Sequence, residues 1–91
     1  MVSRGFVYLI GAENGLVKIG MTSNFNLRIC NLRAQSPIGI TVLFSAEVLN
    51  MNSTEHILHT MFQHLYSHGE WFRLTQQDIE TARDIIKQTM I

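Results

Sequence analysis

The stretch FVYLIGAENGLVKIGMTSNFNLR, residues 6–28, organises the rest of the chain. Its aromatic and β-branched opening is typical of a strand. Asn14-Gly15 then lies between two apolar runs, which is the strongest short hairpin signal. In the returning strand, residues 16–21, side-chain alternation places Lys18 and Gly20 on one face of the sheet. The stretch therefore predicts a strand, a tight turn, a second strand and the start of a helix.

After the hairpin, the pattern predicts a helix and a third strand. Thr22, Ser23 and Asn24 are all competent caps for a helix over residues 24–35. We expect this helix to bury one face made of Leu27, Cys30 or Asn31, and Ala34. The segment 36–39 contains a proline and ends the helix. Residues 40–49 are long and apolar, and we expect them to form a central strand.

Two further helices follow a polar loop. Residues 55–66 carry an apolar stripe at helical spacing, made of Ile57, Leu58, Met61, Phe62 and Leu65. Gly69 is expected to cap this helix in a left-handed conformation, and residues 70–74 form a short extended segment. Thr75 and Asp78 resemble a capping box for a last helix that runs to about residue 89. Its expected buried face comprises Ile79, Ala82, Ile86 and Met90.

These elements predict one α+β domain over residues 1–91, a small three-stranded antiparallel sheet flanked by three helices. Hydrophobic residues make up 46% of the chain, which is enough for a core. No apolar run is long enough to span a bilayer, so we expect no membrane partner. The N-terminus lacks the layout of a signal peptide, and a single cysteine excludes an internal disulfide. Together these features favour a reduced, cytoplasmic setting.

The formal net charge is zero, which argues against tight non-specific binding to nucleic acid. The charges are unevenly distributed, however. Residues 1–46 hold four basic residues against one acidic residue, a balance of +3, and residues 47–91 have a balance of −3. The basic half could face a phosphate backbone, and ordinary scatter in a small protein explains the asymmetry equally well.

Two polar side chains in the hairpin suggest chemistry. We expect Tyr8 and Lys18 to be close to cross-strand partners. An ammonium group near a phenol favours the phenolate, which would accept a proton more readily. Taken singly, Tyr8 is also compatible with a half-buried sheet tyrosine and Lys18 with a solvated strand face.

Arg28 falls early in the following helix, where a fixed guanidinium could hold a phosphate through two parallel hydrogen bonds. The alternative is an ordinary surface arginine. Arg33 is expected to be solvated, in the same basic half that could face a phosphate backbone.

Glu55 and His59 lie four residues apart on the second long helix, so their side chains share a face. That spacing could hold a metal ion or place a carboxylate and an imidazole at one phosphate. Two ligands do not make a closed zinc site, and a first-turn carboxylate is also favoured by the helix dipole. The other three histidines, His56, His64 and His68, are expected at the surface. Glu70 could brace a basic residue of the site, and Trp71 and Phe72 are expected to cover the core.

The ordered pattern resembles the GIY-YIG nuclease superfamily, most closely its small phage-type branch with a K-I-G second motif. Phe6-Val7-Tyr8 stands where the first motif ends in tyrosine, and Lys18-Ile19-Gly20 stands at the second. The segment 20–24 followed by Arg28 is similar to the family's turn and arginine helix. Residues 55–59, EHILH, with Phe62 resemble its glutamate helix, and residues 69–72, GEWF, its closing motif. The first-motif glycine is Phe6 here, Lys18 replaces the second tyrosine, and the late asparagine is not identifiable.

The resemblance implies a role for each matching residue. Tyr8 would be the general base or its relay, with Lys18 beside it, and Arg28 the phosphate clamp. Glu55 would be the single metal-ligand carboxylate and His59 a helper. A lone carboxylate suffices for one Mg²⁺ or Mn²⁺ ion, because Mg²⁺ keeps several waters as ligands. The nucleic-acid-binding residues would be Lys18, Arg28 and Arg33.

The leading hypothesis is therefore a metal-dependent endonuclease, a hydrolase that acts on phosphodiester bonds of DNA, single-stranded DNA included. The alternative is a catalytically weak or inactive GIY-YIG-like module that binds nucleic acid or a host protein. Because many small nucleases depend on dimers, a homodimer is a third option, which light scattering at several concentrations tests. Phage DNA processing, mobile-element homing and defence are all compatible roles.

Overall fold

The sheet has five strands rather than the expected three, while the α+β class with three α-helices is confirmed. The structure is a computed structural model that describes residues 3–91. In that part of the chain the strands are β1 Gly5–Ala12, β2 Val17–Thr22, β3 Ile40–Val48, β4 Tyr66–His68 and β5 Trp71–Phe72. The helices are α1 Phe25–Gln35, α2 Met51–Met61 and α3 Gln76–Gln88, with a short 3-10 helix at Gln63–Leu65.

The strands are all antiparallel in the order β3-β1-β2-β5-β4. The expected central position of the third strand is therefore wrong, because β3 lies at one edge of the sheet. Its burial explains the error. Exposed Thr41, Leu43 and Glu47 interrupt its apolar residues, which is typical of a strand with one solvated side. The first strand, β1, has a neighbour on each side, and four consecutive side chains of β1, residues 7–10, are buried.

The hairpin forms where Asn14-Gly15 predicts it. The N–H of Gly15 donates to the carbonyl of Ala12, and the N–H of Leu16 donates to Asn14 Oδ1. The register differs from the expectation, because Tyr8 lies opposite Gly20 and Lys18 lies opposite Ile10. The phenol and the ammonium group thus share a face as diagonal neighbours, not as a direct pair.

The two faces of the sheet carry different helices. The larger core combines Val7, Leu9 and Ile19 of the hairpin with Leu58 of α2 and Ile86 of α3. The opposite face carries α1, through a smaller cluster made of Tyr8, Ile10, Phe25, Ile29, Leu32, Ile40 and Val42. We call this side the α1 face. Lys18 and Gly20 lie on it, as the alternation predicts.

The buried side of α1 is not the one expected from the sequence. The four residues named for it, Leu27, Cys30, Asn31 and Ala34, are all exposed. The helix instead packs through Phe25, Ile29 and Leu32, which have the spacing i, i+4, i+7. Its apolar and polar residues are too mixed for the sequence to have settled which side faces the sheet.

The second helix begins four residues earlier than expected and ends sooner. Asn50 Oδ1 accepts the N–H of Ser53 at 3.2 Å, so Asn50 is the N-cap of this helix. Glu55 is consequently the fifth residue of α2 and not part of its first turn. Leu58 and Phe62 are buried as expected, whereas Ile57 and Met61 are exposed.

A β-hairpin follows where the sequence suggested a capped helix end and one extended segment. Gly69 does have a left-handed backbone, with φ at 56°, but it lies in the turn between β4 and β5. The Thr75–Asp78 capping box of α3 is confirmed, and Ala82 and Ile86 are buried, while Met90 is exposed. Within residues 3–91, no helix combines the length and the apolar character needed to cross a bilayer.

Candidate active site

Tyr8 and Arg28 form the centre of the site. Tyr8 is fully buried on the α1 face, and its ring packs on Phe25 with centroids 5.9 Å apart. Arg28 Nη1 donates to Tyr8 Oη at 3.1 Å and lies 3.5 Å from the carbonyl oxygen of Met21. The helix start fixes this geometry, because Asn24 Oδ1 accepts the N–H of Leu27 at 3.1 Å and so places Arg28 in the first turns.

The phenol of Tyr8 is held in its neutral form. Burial raises its pKa above the usual 10.0, and this outweighs the hydrogen bond and the positive charge of Arg28, which lower it. The negative charges of Glu70 and Glu55 raise the pKa further. A free phenolate near neutral pH, which the expected pairing with Lys18 would favour, does not follow from this environment.

Lys18 contacts Glu70 and Trp71, which lie beyond the edge of β2 that faces away from β1. Its Nζ lies 3.1 Å from Glu70 Oε1 and 5.4 Å from the centroid of the Trp71 ring. Trp71 is the partner of Lys18 in the β2–β5 pairing, which explains the cation–π contact. Glu70 therefore braces a basic residue of the site, as the sequence suggested.

The C-terminal part of β2 has an unpaired edge. Pairing between β2 and β5 ends at Lys18–Trp71, followed by a bond of 3.0 Å from the N–H of Ile19 to the carbonyl of Glu70. No strand in residues 3–91 pairs with Gly20–Thr22 on that side. Helices α2 and α1 pack on opposite faces of the sheet. The charge of Glu55 is the smallest of the causes that shift the pKa of Tyr8.

Glu55 carries a carboxylate oxygen without a partner. Its Oε2 is buried and has no hydrogen bond within the described chain. Burial raises the pKa of Glu55 above 4.5, and the neighbouring Glu70 carboxylate raises it further, whereas His59 and Lys18 lower it. A buried anion of this kind is costly unless a cation or a proton compensates it. Either a proton or a cation would therefore be stabilised at this oxygen.

The metal-ligating side chains here are few. Residues 3–91 contain no cluster of three or more His, Cys, Asp or Glu side chains that could hold an ion. In this part of the chain, protein side chains alone therefore do not form a closed structural metal site. The partnerless oxygen of Glu55 fits an ion such as Mg²⁺, which uses one or two carboxylates and fills its other positions with water and phosphate oxygens.

His59 lies one helical turn from Glu55 and is tied to the sheet. Its Nε2 lies 2.8 Å from the carbonyl oxygen of Ile19, so this nitrogen carries the proton that is donated. The imidazole also packs edge-on against Phe72, with centroids 4.9 Å apart. Nδ1 is therefore the ring nitrogen that is left for another partner. The contacts with Ile19 and Phe72 hold the turn of α2 that carries His59 against the sheet.

The remaining candidates lie outside this cluster. Arg33 is exposed in the last turn of α1, and no hydrogen bond or ion pair in residues 3–91 links it to the site. His56, His64 and His68 are exposed, as expected. Sequence reasoning missed the contact of Trp71 with Lys18, because the two-residue strand β5 that aligns them has no periodicity to detect.

Comparison with known proteins gives one family. The family model of the T5orf172 domain matches residues 5–89, which include every strand and helix of the fold. T5orf172 is a phage-associated domain with a GIY-YIG-like or HNH endonuclease context. No curated protein and no solved structure matches the chain.

Proposed function

This chain belongs to the T5orf172 domain family, and from that membership we propose that it is a metal-dependent GIY-YIG-type endonuclease that hydrolyses phosphodiester bonds of DNA. One observation carries the proposal. A guanidinium hydrogen-bonded to a buried phenol lies on the α1 face, and a buried carboxylate oxygen without a hydrogen bond in the described residues lies on α2. Phosphodiester hydrolysis needs these groups, because charge develops on the phosphate oxygens while water attacks in line with the leaving oxygen.

Arg28 is the proposed phosphate clamp. Its Nη1 is oriented by Tyr8, and a guanidinium has further N–H donors with which to bind a phosphate. Because this donor is fixed before the substrate arrives, it stabilises the developing charge without reorganisation. Lys18 contributes a second positive charge on the α1 face, positioned by Glu70.

Tyr8 is proposed as a proton relay that also orients Arg28. Its raised pKa keeps the phenol protonated near neutral pH, so it can pass a proton onward but is a weak base by itself. In that role the phenol first gives its own proton to solvent water, and the phenolate oxygen so formed then takes the proton of the attacking water, which regenerates the phenol. The hydrogen bond from Arg28 favours the transient phenolate in that step.

Glu55 is proposed to hold one Mg²⁺ or Mn²⁺ ion through the oxygen that lacks a partner. Such an ion, when bound, stabilises the charge that develops at the leaving oxygen. The turn of α2 that carries Glu55 is anchored to the sheet by His59, which keeps the carboxylate at the strand edge. Arg33 is proposed as a peripheral contact to the DNA backbone.

DNA cleavage with matched variants tests the proposal. Plasmid and single-stranded DNA are incubated with Mg²⁺ or Mn²⁺ and the unmodified protein, Glu55→Ala or Arg28→Ala. We expect cleavage by the unmodified protein and a loss of about 10²-fold or more in each variant. Equal residual cleavage by all three would identify a contaminant and overturn the proposal.

The second candidate is a binding module that has lost catalysis. The full burial and raised pKa of Tyr8 favour it, as does the lysine in place of the second family tyrosine. A gel shift that weakens with salt, without any cleavage, would support binding to nucleic acid through phosphate contacts. No affinity for DNA even at low salt would instead support a protein partner.

A further inference from the structure

A groove runs along the α1 face beside Lys18. It consists of two adjoining cavities of about 300 Å³ and about 210 Å³, which share Ser36, Pro37 and Trp71 as walls. The walls of the larger cavity combine the polar side chains of Lys18, Gln35 and Ser36 with apolar side chains that include Ile10, Leu32 and Ile40. The smaller one continues along the hairpin turn toward Asn14 and His68. We call the pair the Trp71 groove.

The groove exists because α1 covers only part of its face of the sheet. The helix packs on Tyr8 and Ile10 of β1, and it ends at Gln35. Beyond that end, strands β2 and β5 present Lys18 and Trp71 side by side without a helix above them. The arrangement of α1, β2 and β5 therefore forms this open space on the α1 face, next to the candidate active site.

The lining of the groove matches the chemistry of a nucleotide. Its larger cavity is at the small end of the range for ligand pockets, which suits one planar group better than an extended ligand. Trp71 and Pro37 offer flat apolar surfaces, on which bases stack regardless of their sequence. Lys18 Nζ lies over the Trp71 ring and is paired with Glu70, so the groove has a charged wall beside the proposed stacking surface.

We propose that the Trp71 groove binds an unpaired nucleobase of the strand whose phosphate is bound at Arg28, so that the substrate is single-stranded or locally unpaired DNA. This inference rests on the proposed function. In a duplex, both faces of each base are covered by its neighbours, so stacking on Trp71 requires a base that has left the helix. The gap between α1 and the β4–β5 hairpin admits such a base.

The fluorescence of Trp71 tests the groove directly, because Trp71 is the chain's single tryptophan. The unmodified protein is titrated in EDTA, which prevents metal-dependent cleavage. The probes are a short oligothymidylate, an abasic oligonucleotide of the same length, a duplex of the same length, and thymidine monophosphate. We expect the oligothymidylate to change the fluorescence saturably and to bind roughly 5- to 150-fold more tightly than the abasic strand, the range for one stacked base.

Variants provide a second measurement, made by the anisotropy of labelled oligothymidylate. Trp71→Ala should lose the same factor in affinity, whereas Trp71→Phe should retain most of it, because a phenyl ring still offers a stacking face. Circular dichroism of both variants shows whether each is folded. If Trp71→Ala is unfolded, the decision rests on the unmodified protein and on Trp71→Phe.

The outcomes separate this inference from the proposed function. Equal affinity for the abasic strand or for the duplex, or binding without a change in Trp71 fluorescence, would overturn the proposal that the groove binds a base. If the protein cleaves DNA and any of those results is also obtained, the proposed nuclease activity stands and only base binding in the Trp71 groove is rejected. A saturable, base-dependent fluorescence change in a protein that never cleaves would support the groove and overturn the nuclease.

Discussion

Tyr8 lies directly opposite Gly20 across β1 and β2, and its phenol ring occupies the space that a side chain at Gly20 would fill. A Cβ atom at position 20 would overlap the outer ring carbons and the hydroxyl of Tyr8. The glycine thus holds the phenol flat on the sheet, where its hydroxyl accepts the hydrogen bond of Arg28. The hydrogen bond between Arg28 and Tyr8 therefore depends on the lack of a side chain at Gly20 in the neighbouring strand.

Gly20→Ala should therefore displace Tyr8 and destabilise the fold. Overpacking of a buried site costs about 1–3 kcal/mol, and urea denaturation measures this loss. The matched background is Tyr8→Leu, in which the ring and hydroxyl are gone and Gly20→Ala should cost clearly less. The same cost in both backgrounds would show that the two residues do not compete for this space.

Tyr8→Phe should separate the hydroxyl from the ring. The ring still packs on Phe25, so we expect the free energy of unfolding to change by only about 1 kcal/mol. Cleavage should fall by roughly 10²-fold, because Arg28 loses its orienting acceptor and the proposed relay loses its oxygen. Single-turnover cleavage measures this, and a fully active Tyr8→Phe would remove Tyr8 from the chemistry.

Glu55→Gln should stabilise the protein while it abolishes metal-dependent cleavage. The pKa of Glu55 is raised in the fold, so the folded chain keeps a proton where the unfolded chain, with a pKa near 4.5, has lost it. Stability therefore falls as pH rises through this window, and the ionised carboxylate still destabilises the fold at pH 7. A neutral glutamine removes that cost.

Thermal unfolding at pH 7 tests this trade-off between stability and function, with an increase in Tm expected for Glu55→Gln. The control is Glu47→Gln on the exposed side of β3, which should leave Tm nearly unchanged. A decrease in Tm for Glu55→Gln would mean that the carboxylate is stabilising in the fold.

Substitutions of Glu70 and of Lys18 should shift the pKa of Glu55 in opposite directions. Because the Glu70 carboxylate raises this pKa, Glu70→Gln should lower it. Lys18 lowers the pKa of Glu55, so Lys18→Gln should raise it. A ¹³C NMR titration of the Glu55 carboxyl in the metal-free protein measures both shifts. Shifts of the same sign would contradict the arrangement of charges at this strand edge.

Local signals in the sequence predicted the elements they directly encode. Asn14-Gly15 predicted the hairpin and Thr75 with Asp78 the capping box, because each is a contact between close neighbours in the chain. Strand order and helix orientation were not accessible in this way. The long apolar β3 is an edge strand, and α1 packs through Ile29 in place of Leu27, because both depend on what the rest of the chain covers.

For the candidate site, the sequence predicted that Tyr8 and Lys18 lie close together, but it did not predict which groups each of them contacts. Arg28 was expected either as a fixed cation early in the helix or as an ordinary surface arginine, and it is hydrogen-bonded to Tyr8. Lys18 was expected to act on the phenol, but it is paired with Glu70 and lies over Trp71. That difference comes from the β4–β5 hairpin, whose strands of three and two residues are too short for a periodic pattern.

The most direct test of the account is an X-ray structure of crystals soaked in Mn²⁺, with anomalous data to locate the ion. The account predicts a peak next to the partnerless oxygen of Glu55, on the side that faces Tyr8 and Arg28. Ordered Mn²⁺ elsewhere with none at Glu55, or a Glu55 side chain turned away from the strand edge, would contradict it.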